Sequence, residues 1–425
     1  MSETHGRTAE FLIDHSMISM VVEETVSHTT VLDMHTHLFA PQFGALNLSG
    51  IDELLTYHYL IAELFRSREI AAEVFWSMRR AEQADLIWET LFVNGTPLSE
   101  ATRGVIAVLS AFGLDTRAAD LREARAFFAA QDQDMHLTRI FELAGVSSVV
   151  MTNDPLDETE WRLWEEVGAV DPRFHAALRM DGMLNDWATK WPALEARGIR
   201  VGEELTTATL GALRRFLDGV IERMRPLYLA VSLPDTFAYP EESVRGKLIE
   251  KIVLPICRDH RLPFALMIGV RRNVNPAIRL AGDGLGKADL GAVNRLCVEN
   301  PDVRFLVTML SRENQHELCV SARKFGNLMP FGCWWFLNNP SIIEEMTRER
   351  LEMLGPSFIP QHSDARVLEQ LIYKWRHSRR IIARALTETY QNLLTDGRGV
   401  TKSEIKRDVE RFLSGNFAAC VGLIA

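Results

Sequence analysis

Short apolar runs separated by helical patterns recur along most of the chain. The first run, TTVLDMHTHLF at residues 29–39, combines apolar and β-branched residues and predicts a buried strand. Seven further apolar runs follow it, at residues 146–154, 173–181, 227–235, 262–270, 303–310, 328–336 and 357–364. Strands that are apolar throughout and alternate with helices are typical of parallel sheets covered on their outer face. The pattern therefore predicts an α/β fold of the TIM-barrel type, a (β/α)8 barrel.

One interval between these strands is much longer than the others. From residue 50 to residue 144 apolar residues recur every three or four positions, which predicts a large helical insertion after the first strand. Residues 6–28 predict a leading helix, and the last part of the chain predicts C-terminal helices. We therefore divide the chain into the N-terminal helix and first strand at 1–49, the insertion at 50–144, and the rest of the barrel with its C-terminal helices at 145–425.

Composition and charge limit the kinds of partner that the protein can bind and indicate its cellular compartment. The 425 residues carry a net charge of −10, which gives no general attraction for nucleic acid or for an anionic membrane surface. No apolar stretch approaches the roughly 20 residues that span a bilayer, and the N-terminus does not have the pattern of a signal peptide. The five cysteines include no C-x-x-C pair, which argues against a disulfide framework and favours a reducing cytoplasm. We expect a cytoplasmic homo-oligomer that binds a small molecule.

His35 and His37 end the first predicted strand. Because side chains alternate along a strand, both imidazoles are expected on the same face. Neutral imidazole is a common ligand of divalent metals, so the pair predicts a metal site. For an isolated His-X-His the alternative is a strand end with one exposed and one hydrogen-bonded histidine. The strand context and the polar residues that end the other strands favour metal ligands.

Polar and charged residues also end or follow the other predicted strands. Active sites of (β/α)8 barrels lie at the carboxyl ends of the strands, so these side chains are expected to converge. They are Arg179, Asp181, Ser232, Asp235, Arg271, Ser311, Arg312, Glu313, Trp334, Trp335, His362, Asp364 and Arg366. With His35 and His37, Asp364 would hold one divalent ion, Zn2+ first and Mn2+ or Fe2+ as alternatives. The alternative for Asp364 is to cap the helix predicted near Val367.

Arginine and tryptophan residues in this set suggest what the site binds. A guanidinium group pairs bidentately with a carboxylate or a phosphate, so Arg179 and Arg366 predict an anionic group on the ligand. The alternative for either arginine is a structural salt bridge. Trp334 and Trp335 are candidates for the wall of the site, but neighbours in a strand face opposite ways, so one of the two is expected to pack on the outside.

Four segments together resemble the uronate isomerases, an isomerase branch of the amidohydrolase superfamily. The segments are DMHTHL, LLTYHYL, FGCWWF and HSDARVL, and the resemblance extends from about residue 29 to 415. It is closest to a shorter, divergent branch of that family. The resemblance implies carbohydrate metabolism, in the interconversion of pentoses and glucuronate. The implied reaction converts D-glucuronate to D-fructuronate, or D-galacturonate to D-tagaturonate, by proton transfer through an enediol.

The resemblance also implies roles for single residues. His35, His37 and Asp364 match the metal site, and Asp364 is the candidate base. His58 and Tyr59 match a catalytic His-Tyr pair that also contacts substrate, with Tyr59 moving a proton between the two oxygens. Arg179, Arg366 and Trp334 match residues that bind the substrate. Without the resemblance, His58 and Tyr59 would be read as packing residues of an amphipathic helix, with Tyr57 beside them.

The sequence departs from the family pattern at one strand. Met267 stands where the typical members carry a histidine on the fifth strand. Asp235 ends the fourth strand about where family members carry an acid, but its flanking residues match poorly. The chain also lacks the lysine and the histidines with which hydrolytic relatives bind two metals, which favours a single ion.

Two other functions remain open from sequence alone. A mononuclear metal-dependent hydrolase, such as a sugar lactonase, would use the same histidines and Asp364 to activate water. The group of arginines and aromatic residues argues against it. A binding protein for sugar acids that has lost catalysis is the second alternative, and the presence of His35, His37, Asp364 and Tyr59 argues against that.

Overall fold

A curled sheet of parallel strands organises the structure, which is a computed structural model that describes residues 11–424. Seven parallel strands pair in the order β1-β2-β3-β4-β5-β7-β8, and the short β6 pairs antiparallel with β5. The strands are β1 Val31–Thr36, β2 Val146–Asn153, β3 Phe174–Arg179, β4 Leu229–Pro234, β5 Phe264–Arg271, β6 Gly284–Leu285, β7 Phe305–Met309 and β8 Leu328–Pro330.

Helices connect the strands and cover the sheet. They are α1 Ile18–His28, α2 Ile51–Leu55, α3 His58–Ser67, α4 Ala72–Ser77, α5 Arg80–Trp88, α6 Glu100–Ala111, α7 Arg122–Ala129, α8 Gln133–Ala144, α9 Glu158–Glu166, α10 Asp181–Asn185, α11 Trp187–Ala196, α12 Thr207–Met224, α13 Val244–Leu248, α14 Leu254–His260, α15 Gly291–Glu299, α16 Gln315–Ala322, α17 Pro340–Leu354, α18 Gln370–Thr395, α19 Lys402–Glu410 and α20 Asn416–Cys420. The predicted leading helix is α1, which begins twelve positions later than expected; residues 6–10 of that prediction lie outside the described residues. Within residues 11–424 every helix is too short or too polar to cross a membrane.

The predicted eighth strand, residues 357–364, is not a strand in the structure, so that prediction is wrong. Its residues nevertheless contact both edges of the sheet. The Ile359 N–H donates to the carbonyl of Pro330, the last residue of β8 (3.0 Å), and the Ile359 carbonyl accepts from the Gly332 N–H just beyond it (2.8 Å). The Asp364 N–H donates to the carbonyl of His35 in β1 (3.2 Å). Pro360 has no N–H to donate, and Asp364 adopts a positive φ of 54°, so a regular ladder cannot continue here.

Apolar side chains fill both faces of the sheet. Residues such as Val149, Leu178 and Phe264 pack outward against the helices. The opposite face carries a second buried cluster, to which Met34 of β1 and Met267 of β5 belong. Burial on both faces explains why the strands are apolar throughout, as expected for parallel strands.

The chain between β1 and β2 is helical, as its periodicity predicts, and contains α2 to α8. Helices α2 to α7 have a hydrophobic core of their own, with Leu64, Phe75 and Trp88 among its buried members. Helix α8 packs into the main core instead. The segment also carries His58, at the first position of α3.

One buried carboxylate ties both ends of this helical segment to α18. Glu369, the residue before α18, is fully buried. Its Oε1 accepts a hydrogen bond from the Gly50 N–H before α2 (3.0 Å) and lies 2.8 Å from Nε2 of His136 in α8. Because two partners converge on one oxygen, this contact fixes α2 and α8 relative to α18.

We expect Glu369→Ala to lower the free energy of unfolding by about 3–5 kcal/mol, because it leaves the half-buried Gly50 N–H and the buried His136 imidazole without their acceptor. Urea unfolding followed by circular dichroism measures the change. Glu158→Ala is the control, since it removes an exposed ion pair with Arg162 within one helix and should cost less than about 1 kcal/mol. Equal losses in the two variants would show that the Glu369 contact is unimportant.

Candidate metal centre and active site

Three side chains from opposite ends of the sequence form a compact, buried cluster. Single ligand atoms of His35, His37 and Asp364 all lie within 4.8 Å of one another. Oδ1 of Asp364 is 3.8 Å from Nε2 of His35 and 3.4 Å from Nε2 of His37. That oxygen is buried and accepts no hydrogen bond from the described residues. Two imidazoles and one unpartnered carboxylate oxygen at this spacing could hold one divalent metal ion.

The local backbone explains how β1 presents both histidines. The pairing of β1 with β2 shifts register between Asp33 and Thr36. Met34 therefore packs in the inner apolar cluster, while His35, the next residue, lines the same cavity as His37. Asp364 caps no helix, because α18 begins only at Gln370 with Glu369 as its N-cap residue.

Two hydroxyl groups fix the orientation of the imidazole rings. The hydroxyl of Tyr228 donates to the Met34 carbonyl (2.7 Å) and lies 3.0 Å from Nδ1 of His35. The hydroxyl of Thr152 likewise donates to the Thr36 carbonyl (3.1 Å) and lies 2.9 Å from Nδ1 of His37. Since each hydroxyl proton is already used, each oxygen accepts from Nδ1–H. Both Nε2 atoms then keep a lone pair directed at the cluster, as a metal ligand requires.

Burial also sets the protonation of these ligands. Desolvation, followed by the charge of His37, lowers the pKa of His35 to about 3. Desolvation, followed by Arg366 and Arg179, lowers the pKa of His37 well below its usual value. Both imidazoles are therefore neutral at neutral pH, which is the form that binds metal.

A cavity of about 210 Å³ opens beside the cluster. Three arginines line it, and they differ in their partners. Arg179 pairs with Asp181 (Nε to Oδ2, 3.1 Å), and this carboxylate raises the pKa of Arg179. Arg272 pairs with Asp283. Among the described residues the Arg366 guanidinium has no hydrogen-bond or ion-pair partner. It is therefore the arginine of this cavity that is free to pair with an anionic ligand.

Aromatic side chains form one wall. Trp334 and Trp335 both line the cavity, so the expectation that one of them packs outside is wrong. Strand β8 ends at Pro330, and Trp335 begins a short 3-10 turn with a φ of 47°, so the alternation of a strand does not apply to the pair. The ring of Trp335 stacks on Phe336 at 4.8 Å between centroids.

The predicted His-Tyr pair divides between the cavity and its surroundings. His58 lines the cavity, and neither of its buried ring nitrogens has a hydrogen-bond partner among the described residues. Tyr59 is not among the lining residues; its ring packs against Tyr57 at 5.1 Å and Phe336 at 6.4 Å between centroids. Burial raises the pKa of Tyr59 well above its usual value. The roles assigned to both residues stay predictions.

The structure places the remaining candidates as follows. Met267 lines the cavity, so an apolar side chain occupies the fifth-strand position. Asp235 pairs with Arg271 at 2.6 Å and does not line the cavity. His362 is fully buried, with its ring 5.3 Å from that of His35 and no hydrogen-bond partner among the described residues.

Three residues of the site are not marked by the sequence patterns above. Arg272 follows Arg271 and, unlike it, lines the cavity. The two adjacent arginines at the end of β5 could have pointed to a second cationic side chain in the site. Thr152 and Tyr228 orient the two histidines from β2 and from the residue before β4, and no local pattern marks such long-range partners.

A curled parallel sheet that carries an HxH and a carboxylate at one end defines an amidohydrolase-like fold with a candidate mononuclear metal centre. No protein-family model matches the sequence, and no curated protein matches it. Solved structures do. A uronate isomerase from Bacillus halodurans C-125 is 52% identical, with a TM-score of 0.94 over 97% of this chain and 98% of that one. This chain belongs to the uronate isomerase family.

Two more distant structures share the fold. A glucuronate isomerase from Caulobacter crescentus is 15% identical, with a TM-score of 0.74 over 100% of this chain and 97% of that one. A uronate isomerase from Thermotoga maritima is 16% identical, with a TM-score of 0.73 over 98% of this chain and 100% of that one.

We expect Thr152→Val and Tyr228→Phe each to weaken binding of a divalent ion about 10- to 100-fold, because an Nδ1–H loses its acceptor and the ring loses its orientation. Competition with a chromophoric chelator measures the affinity. Tyr390→Phe is a matched control, since its hydroxyl bonds Asp408 (3.0 Å) far along the chain from the cluster. Unchanged affinity in both site variants would contradict the role of the two hydroxyls.

We expect the metal-free protein to lose stability as the pH falls from about 6.5 towards 3. Burial lowers the pKa of His362 to about 3, so over this range the unfolded chain binds a proton that the folded chain does not, and unfolding is favoured. In His362→Phe this contribution is absent, so the thermal midpoint should fall less steeply with decreasing pH than in the wild type. Parallel pH profiles of the two proteins would contradict the expectation.

Proposed function

We propose that the protein is a metal-dependent uronate isomerase that interconverts D-glucuronate and D-fructuronate, D-galacturonate and D-tagaturonate, or both pairs. The observation that carries the proposal is the buried cluster of His35, His37 and Asp364, opening on a cavity with a free arginine, in a chain 52% identical to a uronate isomerase. The hydrolase alternative is not favoured, because that relative is an isomerase.

Recognition of the sugar acid is assigned to the cationic side of the cavity. Arg366 is the first candidate for the substrate carboxylate, because Arg179 is already paired with Asp181 and Arg272 with Asp283. A bidentate contact with Arg366 would fix the register of the reacting carbons at the other end of the substrate. Arg179 and Trp334 would contact the sugar from β3 and from the loop after β8.

Aldose-ketose isomerisation moves a hydrogen between C2 and C1. Asp364, which lines the cavity, is the proposed base for the C2 proton. Its Oδ1 faces the two imidazoles and would hold the ion, so the second carboxylate oxygen would take the proton. A bound divalent ion supplies stabilisation of the negative charge that develops on the substrate oxygens. His58, with a pKa lowered by burial and then by Arg366, is neutral and can pass a proton between O1 and O2. Tyr59, protonated at neutral pH, supports His58 from the side of the helical segment.

The proposed enzyme also has a defined metal content, sheet closure, compartment and assembly. We infer one metal ion, Zn2+ first, with Mn2+ or Fe2+ as alternatives. The sheet, with residues 359–365 bonded to both of its edges, is proposed as a closed (β/α)8 barrel, with residues 50–144 as an insertion. Five buried free cysteines support a reducing cytoplasm, and a homo-oligomer is the proposed assembly.

The decisive assay offers D-glucuronate and D-galacturonate separately to the zinc-loaded protein and measures the keto acid. We expect product from at least one of them. Asp364→Asn should lower kcat by about 100-fold or more, because a positioned base is lost. His35→Ala should abolish activity together with metal binding.

Asp235→Asn is the matched control, since Asp235 is another strand-end carboxylate but pairs with Arg271 outside the cavity lining. It should retain most of the activity. Turnover of a sugar lactone without isomerisation of either uronate would replace the proposal with the hydrolase. A metal-bound, folded protein that turns over neither class would leave a sugar-acid binding protein.

A further inference from the structure

A second groove, of about 460 Å³, lies between α6 and α18, with Pro340 of α17 also in its lining. It shares no lining residue with the cavity beside His35 and His37. Arginine dominates its surface, in four positions that come from two helices: Arg103, Arg376, Arg380 and Arg384.

The arginines are arranged on one face of α18. Arg376, Arg380 and Arg384 follow one another at intervals of four residues, so they lie side by side, and Arg103 lines the groove from α6. Arg384 is paired with Glu344 (2.7 Å). Among the described residues the other three have no ion-pair partner. Like charges four residues apart destabilise a helix. The whole chain carries a net charge of −10, so a cluster of unpaired arginines is not explained by an excess of positive charge over the surface as a whole.

The one acidic residue in the lining does not neutralise these arginines. Oε1 of Glu100 accepts a hydrogen bond of 3.0 Å from Nζ of Lys374, whose side chain is only 4% exposed. The charge of Glu100 is therefore matched by a buried lysine beneath it. The groove keeps a positive charge of about three from Arg103, Arg376 and Arg380.

A buried imidazole and an apolar floor complete the groove. Nε2 of His377 is buried and has no hydrogen-bond partner among the described residues. Burial, followed by the charges of Lys374, Arg380 and Arg103, lowers the pKa of His377 to about 3. The ring of Tyr373 forms part of the floor and packs so closely on Gly104 that a Cβ there would lie 2.6 Å from it. The groove thus offers an apolar surface beside its cations.

We propose that this groove binds a small organic anion that carries a phosphate group. Three unpaired guanidinium groups suit a multiply charged phosphate better than a single carboxylate, because each guanidinium group can donate two hydrogen bonds to its oxygens. The volume is that of a metabolite site. Tyr373 and Ile381 would contact the organic part of the ligand.

Pyrophosphate serves as the probe, titrated calorimetrically into the full-length protein at low ionic strength. We expect saturable binding that weakens about tenfold or more in Arg376→Gln/Arg380→Gln, with isomerase turnover unchanged. The control is Arg79→Gln/Arg122→Gln, which removes the same charge from two exposed arginines outside the groove. It should bind like the wild type, and Arg376→Lys/Arg380→Lys should restore only part of the affinity.

A second readout is the imidazole of His377, followed by NMR. Bound pyrophosphate offsets the surrounding positive charges and should raise the pKa of His377. Equal affinity in the groove and control variants, or an equal loss in both, would overturn the proposal in favour of non-specific attraction. A change of oligomeric mass in the groove variant, measured by light scattering, would overturn it in favour of an interface between two copies of the chain.

Discussion

The position of Asp364 depends on backbone hydrogen bonds rather than on its own side chain. The N–H of Asp364 donates to the carbonyl of His35, and the N–H of His37 donates to the carbonyl of Ala365 (2.7 Å). Residues 364 and 365 are thereby bound to the two histidines of β1. These backbone hydrogen bonds hold the carboxylate close to both imidazoles. They also hold Asp364 in a left-handed backbone conformation, which costs of the order of 1–2 kcal/mol.

The surroundings of the cluster leave its ligand atoms unused by the protein. The hydroxyls of Tyr228 and Thr152 occupy the Nδ1 atoms, burial keeps the rings neutral, and the described residues offer Oδ1 of Asp364 no donor. A buried polar atom without a partner costs free energy, and a bound cation would recover that cost. The cluster therefore stores part of the driving force for binding an ion in the folded chain.

Hydrophobic periodicity and strand alternation predicted those parts of the fold and site that depend on neighbouring residues in the sequence. Strand alternation identified His35 and His37, and the helical periodicity identified residues 50–144 as helical. Asp364 lies beside the two histidines as predicted, although the strand expected to end there does not form. The same rules failed where backbone geometry overrides the pattern. Pro360 and the conformation of Asp364 interrupt the eighth strand, and the turn at Trp335 places both tryptophans in the cavity wall. Thr152 and Tyr228 reach the histidines only across the packed strands. Arg179 pairs with Asp181 two residues further on, but the sequence does not show which way either side chain turns, so it cannot separate this paired arginine from the free Arg366.

The order in which the chain is synthesised has a consequence for the cluster of His35, His37 and Asp364. Asp364 and the Glu369 that fixes α2 and α8 follow His35 and His37 by more than 300 residues. A growing polypeptide thus carries the two imidazoles long before it has the carboxylate or the helix that completes their enclosure. The cluster of three side chains can therefore form only after both segments have been synthesised, and a chain that stops before Asp364 lacks one of the three.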